Sequence, residues 1–287
     1  MKNYKKGILL AGGNGTRLKP ITTSINKHLI PVYDKPMIYY SISMLMLAKI
    51  RDICIVTNVK TKKIIENLFE DGKWLGMNIS YKIQDKADGI VDALNTCEEF
   101  INNQNFALAL GDNFIYGSDL ISYFNQIQKS NFETNIFSFE VNNPQDFGII
   151  NEKSKSLNII EKPKKYIGNK AIVGLYFLPK NTFEFSKKIK KSKRGEKEIS
   201  NLLNILCKSR NYQIHALKRG MKWMDMGSIN SLIEANQFIQ LIEKTNFRKI
   251  ACLEEIALNN KWINRINYRI NSNKNGNSEY SDYLKKL

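Results

Sequence analysis

Glycine and basic residues that could hold a polyphosphate are concentrated near the N-terminus. Gly12, Gly13 and Gly15 lie close together, and glycine lets a backbone approach a phosphate with its N–H groups unobstructed. Arg17 and Lys27 follow, and these cations can neutralise the phosphates that the N–H groups would hold. The segment therefore predicts a loop that binds a polyphosphate.

Two better-known phosphate-binding patterns do not fit this segment. The Walker A pattern requires Gly-Lys-Ser/Thr, whereas Gly15 is followed by Thr16 and Arg17. The dinucleotide fingerprint, if it began at Gly13, requires a glycine where Leu18 stands. A turn of purely structural glycines is the alternative, but it leaves the neighbouring cations unexplained.

Two aspartates are candidates for binding a hard cation. Asp112 follows an apolar segment at 106–110 that predicts a strand, and Asp225 lies in the sequence WMDMGS at 223–228. One or two carboxylates suffice to hold Mg²⁺ that is also bound to nucleotide phosphates. Either aspartate taken singly is more typical of a turn or a helix cap, so only the pair indicates a magnesium site.

The hydrophobic pattern predicts the elements that position these residues. Apolar runs of strand length alternate with helical patterns, the strands at 8–11, 52–57, 78–84 and 106–110 and the helices at 35–49, 62–69 and 90–101. Such alternation predicts an α/β fold with a mostly parallel, Rossmann-like sheet and helices on both faces. Ligands of these sheets bind at the carboxyl ends of the strands, where the glycine loop, Gln84 and Asp112 all fall.

The pattern changes in the second half of the chain. After a predicted helix at 119–129, strands at 135–141, 147–151, 157–161 and 171–178 are separated by turns, which predicts a smaller mixed β region, and helices are predicted at 199–209 and 228–244. We interpret residues 1–245 as one domain with halves at about 1–130 and 131–245. The extension 246–287 is predicted to be helical at first, then polar and loosely ordered after Asn264.

Composition narrows the class of protein. The 287 residues are 43% hydrophobic and 25% charged, as in ordinary globular proteins. No apolar run reaches the roughly 18 residues of a membrane span, and the N-terminus leads directly into the first predicted strand, so we expect a cytoplasmic protein. The scattered cysteines and the two histidines lack the spacing of a zinc site.

The net charge of +17 points to an anionic partner, which could be nucleic acid, a membrane surface or small substrates. Basic residues are densest at 187–194, but no nucleic-acid-binding motif accompanies them. A solvated basic face is the preferred interpretation. We therefore expect neither nucleic acid nor a membrane as a partner, although charge alone leaves nucleic acid open.

At this point the motifs resemble a family. GGNGTRLKPIT at 12–22, KHLIPV at 27–32 and KPM at 35–37 resemble the signature of the sugar-1-phosphate nucleotidylyltransferases. The continuation YDKPMIYY at 33–40 is similar to one branch in particular, the bacterial glucose-1-phosphate thymidylyltransferases. Several separate motifs recur in the order of the family, from the first strand to about Ala257.

The resemblance implies an activity and a set of partners. The family joins a nucleoside triphosphate to a sugar 1-phosphate and releases pyrophosphate. This branch uses Mg²⁺, dTTP and glucose 1-phosphate to make dTDP-glucose for deoxysugar and polysaccharide synthesis, typically as a homotetramer. The first half of the domain would carry the nucleotide and the second half the sugar.

The resemblance also implies the site residues. Those implied to bind the nucleotide are Leu10, Ala11, Gly12, Gly13, Gly15, Thr16, Arg17, Lys27, His28, Gln84, Gly89 and Asp112. Those implied to bind the sugar phosphate are Asn113, Gly148, Glu161, Lys162, Ile172, Val173 and Trp223. The implied catalytic residues are Arg17 on the β- and γ-phosphates, Lys27 on the α-phosphate, Lys162 on the sugar phosphate, and Asp112 and Asp225 on Mg²⁺.

Departures from the family pattern bear on the substrates. Val173 stands where threonine is usual, and Ala87 replaces a proline in the segment matched to base reading. His28 replaces a glutamine, and we expect its imidazole to be neutral at pH 7.5 and to gain a proton with bound triphosphate near pH 6. The alternative is that His28 is only a spacer.

Two alternative functions remain open. The amide of Gln84 suits thymine and uracil alike, so uridylyl transfer from UTP is the nearest rival. A regulator that binds nucleotide sugars without catalysis is the other, although it would be expected to have damaged motifs.

Overall fold

The computed structural model describes residues 4–86, 88–154, 156–273 and 276–287. Ala87, one of the positions matched to base reading, lies outside the described residues. Within them, no helix is long and apolar enough to cross a membrane.

A mixed sheet of nine strands forms the centre of the described structure. The strands of the fold are β1 (Lys6–Leu10), β2 (Pro31–Val32), β3 (Lys35–Pro36), β4 (Asp52–Thr57), β5 (Asn78–Ile83), β6 (Phe106–Leu110), β7 (Asn113–Tyr116), β8 (Thr134–Glu140), β9 (Gly148–Ile150), β10 (Ile159–Glu161), β11 (Lys170–Leu178), β12 (Tyr212–Ala216) and β13 (Lys222–Asp225). The order across the large sheet is β10-β9-β11-β6-β1-β4-β5, with β8 beside β11 and β12 beside β8. The pairs β2–β3 and β7–β13 form separate antiparallel ribbons.

The half of the sheet that carries the phosphate loop is parallel. β6, β1, β4 and β5 lie side by side and run in one direction, and Leu9 of β1 pairs with Ile55 on one side and Ala109 on the other. β11 then joins β6 in the antiparallel direction. The predicted α/β class with a mostly parallel central sheet is confirmed, and the strands of the second half extend this same sheet.

Helices cover both faces of the sheet. They are α1 (Met37–Leu47), α2 (Val59–Phe69), α3 (Ile90–Asn95), α4 (Glu98–Ile101), α5 (Leu120–Lys129), α6 (Thr182–Ser186), α7 (Ile199–Leu206), α8 (Ile229–Asn246), α9 (Leu253–Asn259), α10 (Arg265–Asn273) and α11 (Glu279–Lys286). Because side chains alternate along a strand, Leu9 and Ile55 pack in one core with α1, α5, α8 and α9. Ile8 and Cys54 pack in the other core with α3, α6 and α7.

The predicted element bounds hold best where the local pattern is strong. β4 and β6 match the predictions, and α8 begins after Ser228, whose side chain forms a capping box with Ser231. The predicted helix at 90–101 is divided into α3 and α4. The short strands β7, β12 and β13 were not predicted.

The prediction of a loosely ordered segment after Asn264 was wrong for most of the described residues there. α10 and α11 form a helical pair that docks on the domain. The hydroxyl of Tyr268 donates to the carbonyl of Leu284 at 2.8 Å, and Asn271 Nδ2 donates to the carbonyl of Trp74 at 2.6 Å. These tertiary contacts stabilise a segment whose own periodicity is weak.

A buried charge cluster ties the C-terminal extension to the β2–β3 ribbon. Lys35 and Glu243 are almost fully buried, with 3.1 Å between Nζ and Oε1, and Lys35 also pairs with Asp34. Lys249 pairs with Asp34 as well and lies 3.4 Å from Glu243. The ring of Tyr280 lies 5.6 Å from Lys35 Nζ and 5.7 Å from Lys249 Nζ. The charges of two lysines and two carboxylates thus neutralise each other at a place from which water is largely excluded.

Candidate active site

A cavity of about 610 Å³ opens at the carboxyl ends of the parallel strands. The predicted site residues that line it are Leu10, Gly12, Gly13, Gly15, Thr16, Arg17, Lys27, His28, Gln84, Gly89, Asp112, Asn113, Gly148, Glu161, Lys162, Ile172, Trp223 and Asp225. The structure therefore brings together residues from both halves of the chain.

Two predicted residues do not line the cavity. Val173 is fully buried in the core on the opposite face of the sheet, while its neighbours Ile172 and Gly174 line the cavity. Successive side chains of a strand point to opposite faces, so the predicted sugar contact of the Val173 side chain is wrong, and its departure from threonine removes no hydroxyl from the cavity. Ala11 also packs in the core, and its N–H donates to the carbonyl of Val56 at 2.7 Å.

The glycine loop has the backbone that its sequence predicts. Gly15 has a φ of 60°, in the left-handed region, and a Cβ at this position would lie 2.7 Å from Thr22 Cγ2. The hydroxyl of Thr22 donates to the Gly15 carbonyl at 2.8 Å. A Cβ on Gly13 would lie 3.4 Å from Lys27 Nζ. Glycine is therefore required at residue 15, where the loop turns. At residue 13, the absence of a side chain lets the Lys27 amine lie close to the backbone.

Lys27 and Asp112 form an ion pair in the floor of the cavity. Lys27 Nζ lies 2.5 Å from Asp112 Oδ2, and the two side chains are only 15% and 11% exposed. Burial is the largest single effect and by itself would raise the pKa of Asp112, but the charge of Lys27, the smaller effect of His28 and the hydrogen bonds from Lys27 and Asn113 together outweigh it and hold that pKa below its ordinary value. Asp112 is thus a carboxylate throughout the physiological pH range.

Asp225 lies beside Asp112 on the short ribbon formed by β7 and β13. It pairs with Asn113 in register, and the next N–H, that of Met226, donates to the Asp112 carbonyl at 2.8 Å. Burial and the negative charge of Asp112 raise the pKa of Asp225 to about 6, against the opposing effect of Arg17 and Lys27. The two carboxylates therefore repel each other across a small space.

Gly227 leaves room for the guanidinium of Arg17. A Cβ on Gly227 would lie 2.6 Å from Arg17 Nη2 and 3.0 Å from Asp225 Oδ1. The Arg17 cation and the Asp225 carboxylate consequently meet over the same glycine. Any side chain at residue 227 would displace one of them.

The donor set fits a divalent cation that arrives with phosphate ligands. Asp112 and Asp225 supply carboxylate oxygens, which hard cations prefer. Across the described ranges, no group of three or more His, Cys, Asp or Glu side chains is arranged to hold a metal ion. Two carboxylates hold such a cation most tightly where phosphate oxygens and water complete the coordination.

Asn113 is a brace of the site rather than a free sugar ligand. Its Oδ1 accepts from the N–H of Gly174 at 3.0 Å and from Trp223 Nε1 at 2.8 Å, and its Nδ2 donates to Asp112 Oδ1 at 3.0 Å. A Cβ on Gly174 would lie 2.6 Å from Asn113 Oδ1. Asn113 and Trp223 thus fix the Asp112 carboxylate, a role that the sequence reasoning did not assign to them.

Glu161 and Lys162 lie at the other end of the cavity. Lys162 has a φ of 43°, and its N–H donates to the carbonyl of Phe147 at 2.9 Å. A Cβ on Gly148 would lie 3.1 Å from Glu161 Oε2, so this glycine makes room for the carboxylate. Burial, and then the charge of Glu198, raise the pKa of Glu161.

The sequence reasoning missed several acidic and basic residues at this end. Arg194 Nη1 lies 3.6 Å from Glu161 Oε1 and 3.3 Å from Glu198 Oε1. The basic run at 187–194 was the available signal for Arg194. Among the residues that the structure describes, four basic and six acidic side chains line the cavity, namely Arg17, Lys27, Lys162 and Arg194 against Asp112, Asp146, Glu161, Glu196, Glu198 and Asp225.

Gln84 has a fixed orientation. Its Nε2 donates to the carbonyl of Gly89 at 3.2 Å, and its Oε1 lies 3.5 Å from the position of a Cβ on Gly12. The amide therefore offers its oxygen as an acceptor towards the glycine loop. A base with an N–H at its Watson–Crick edge, such as thymine or uracil, can donate to it.

His28 is buried beneath the loop. Its Nδ1 lies 2.9 Å from Asn26 Oδ1, and a Cβ on Gly111 would lie 2.6 Å from its Cδ2. Burial, and then the charge of Lys27, lower the pKa of His28 to about 3. The buried, neutral ring favours the interpretation of His28 as a spacer over the expected gain of a proton near pH 6.

Comparison with known proteins agrees with this geometry. The nucleotidyl transferase family matches residues 6–241, and the chain belongs to that family. It is 41% identical to the glucose-1-phosphate thymidylyltransferase of Neisseria meningitidis over 98% of this chain and 99% of that protein. It is 39% identical to the glucose-1-phosphate thymidylyltransferase of Mycobacterium tuberculosis over 90% of both chains. The resemblance found in the motifs is confirmed.

Solved structures show the same fold. A Bacillus anthracis protein described as a glucose-1-phosphate thymidylyltransferase, in complex with sucrose, is 35% identical with a TM-score of 0.74 and covers 81% of this chain and 94% of its own. A UDP-glucose pyrophosphorylase complexed with UDP-glucose is 26% identical with a TM-score of 0.73 and covers 84% of this chain and all of its own.

We expect the pH dependence of nucleotide affinity to be independent of His28. A pKa of about 3 keeps the ring neutral from pH 6 to 8, so His28→Gln and the wild type should show parallel dTTP affinities by calorimetry across that range. A tightening towards pH 6 that occurs only in the wild type would contradict this result.

We expect Asp225→Asn to stabilise the metal-free protein at high pH. The pKa of Asp225 rises from 3.8 to about 6 on folding, so ionisation costs stability in full above pH 6 and costs nothing below about pH 4. The amide removes this cost. Urea unfolding without divalent metal should show the variant more stable by roughly 1–3 kcal/mol at pH 8, with the difference disappearing near pH 4. A variant that is less stable than the wild type at pH 8 would refute the charge repulsion.

Proposed function

We propose that the protein transfers a thymidylyl group from dTTP to glucose 1-phosphate, which yields dTDP-glucose and pyrophosphate. The observation that carries this proposal is a single cavity with a phosphate-binding loop and two aspartates at one end and Glu161 and Lys162 at the other. Both substrates can therefore occupy one cavity. The curated relatives of this chain carry the name of the same activity.

In the proposed reaction, an oxygen of the sugar phosphate attacks the α-phosphorus of dTTP. A new P–O bond forms while the bond to the bridging oxygen of the β-phosphate breaks, and the electron pair leaves with pyrophosphate. Such transfers depend on positioning and charge stabilisation. The cations and the glycine loop that line the cavity support this mechanism, which requires no nucleophilic side chain.

Each charged residue has a proposed role in that transfer. Arg17 and the glycine-loop N–H groups hold the β- and γ-phosphates, and Lys27 holds the α-phosphate. Lys162 holds the phosphate of the sugar, and Glu161 accepts hydrogen bonds from its hydroxyls. A Mg²⁺ ion on Asp112 and Asp225 would neutralise the charge that develops as the bond breaks.

Uridylyl transfer is the second candidate, and Gln84 is the observation that favours keeping it. The exposed acceptor of Gln84 serves the N–H of uracil as well as that of thymine. A UDP-glucose pyrophosphorylase is also among the similar structures. A purely regulatory role is disfavoured because Arg17, Lys27, Asp112, Lys162 and Asp225 are all present.

Assembly into a homotetramer is proposed from the family resemblance. Apolar side chains on α8 and just beyond it are exposed, including Ile233, Leu241 and Phe247. Such side chains are compatible with contacts between copies of the chain.

Pyrophosphate release with four nucleoside triphosphates tests the proposed reaction. With glucose 1-phosphate and Mg²⁺, we expect dTTP to be the best donor and UTP the next. CTP should be poor, because its N3 carries no proton to donate to Gln84. Equal rates with all four donors would overturn the proposed base reading, and no release with any donor would overturn the activity.

Two alanine variants test the division of roles. Arg17→Ala should weaken dTTP binding, whereas Lys162→Ala should raise the KM for glucose 1-phosphate and leave dTTP binding unchanged. Loss of one charge-assisted contact costs roughly 1.5–3 kcal/mol, or about ten- to a hundredfold. Calorimetry with dTTP measures the first effect and steady-state kinetics the second. Equal loss of dTTP affinity in both variants would show that the assignment is wrong.

A further inference from the structure

The Lys27 amine lies between two anion-recognition elements. It is 2.5 Å from Asp112 Oδ2 on one side and 3.4 Å from the position of a Cβ on Gly13 on the other. The ammonium therefore stands where the phosphate loop meets a metal-binding carboxylate. A small swing of its four-carbon side chain exchanges one contact for the other.

Arg17 lies near the second carboxylate. Its Nη2 and Asp225 Oδ1 lie 2.6 and 3.0 Å from the Cβ position on Gly227. Arg17 also belongs to the segment that follows the glycine loop. Each of the two cations assigned to the nucleotide phosphates thus faces one of the two carboxylates assigned to the metal.

The net charge of the cavity lining affects how strongly the cavity attracts a triphosphate. The lining carries more carboxylates than cations, although the whole chain has a net charge of +17. His28 adds no charge, since burial keeps its ring neutral. At the nucleotide end, the two aspartates offset the charge of the two cations, and a triphosphate gains little attraction from Lys27 while its pair with Asp112 stays closed.

We propose that Lys27 competes with the divalent cation for Asp112, so that metal and nucleotide phosphates bind as a mutually dependent pair. This inference rests on the proposed function for the identity of the nucleotide. The phosphates draw the Lys27 ammonium onto the glycine loop, which frees Asp112 for the metal. The metal in turn takes over Asp112 and frees Lys27 for the phosphates, so that each ligand raises the affinity of the other.

The decisive measurement is the binding of Mn²⁺ alone, followed by electron paramagnetic resonance at pH 8 with no nucleotide or sugar present. Lys27→Met removes the competitor of the metal and should bind Mn²⁺ about ten- to a hundredfold more tightly than the wild type. Lys162→Met is the matched control, because it removes one cation from the same cavity without a contact to either aspartate. If Lys27→Met does not fold, Lys27→Gln replaces it in the comparison, because glutamine keeps a hydrogen-bond donor without the charge.

The reciprocal measurement is dTTP binding in the presence of EDTA. Asp112→Asn releases Lys27 and should bind metal-free dTTP several-fold more tightly than the wild type does. Mn²⁺ binding by Lys27→Met that is no tighter than that of the wild type or of Lys162→Met would overturn the competition. The Mn²⁺ arm uses neither substrate, so an error in the proposed reaction would show in the donor panel and leave this comparison readable.

Discussion

The site depends on the parallel pairing of β1 with β4 on one side and β6 on the other. Leu10 at the end of β1 pairs with Val56 and Leu110, so the three strands finish at one level. The pairing continues for one more step, because the N–H of Gly111 donates to the Leu10 carbonyl at 2.9 Å. The glycine loop and Asp112 consequently leave the sheet side by side. A slip of one residue would exchange the faces of every side chain in the strand and separate the loop from its carboxylate.

Much of this half of the fold was predictable because its signals are local. Apolar runs fixed β4 and β6, and the glycines with Arg17 and Lys27 indicated a phosphate loop before any fold was known. Because ligands of parallel sheets bind at the carboxyl ends of the strands, the sequence also predicted that Gln84 and Asp112 lie beside that loop.

The remainder was set by contacts between distant parts of the chain. β13 is short and pairs with β7 in a separate ribbon, so the pattern gave no strand for Asp225. The role of Asn113 as a brace depends on Gly174 and Trp223, which lie far from it in sequence. The side chain of Val173 was assigned to the wrong face of its strand, since its neighbour Ile172 does line the cavity. A motif match gives the segment, and the register of the strand decides which side chain faces the ligand.

The net charge of the chain proved a poor guide to the charge of its site. A basic composition favoured anionic ligands, but the cavity itself holds an excess of carboxylates. Burial penalises these charges, as the raised pKa values of Glu161 and Asp225 indicate. Such a cavity is unfavourable for stability, which is consistent with a site shaped for the transfer rather than for stability.

The buried charge cluster also constrains the order in which the protein can be completed on the ribosome. Lys35 lies only a few residues after Lys27. Its partner Glu243 is 208 positions further along the chain, and Lys249 pairs with Asp34 across 215 positions. The backbone N–H of Tyr33, in the same ribbon, donates to Asn236 Oδ1 across 203 positions. During synthesis, these contacts of the ribbon therefore form only after residues 236–249 have been made. Contacts of such long range slow folding and leave nascent chains exposed. The N-terminal half, although it carries the phosphate loop, gains these tertiary contacts only when α8 and Lys249 have left the exit tunnel.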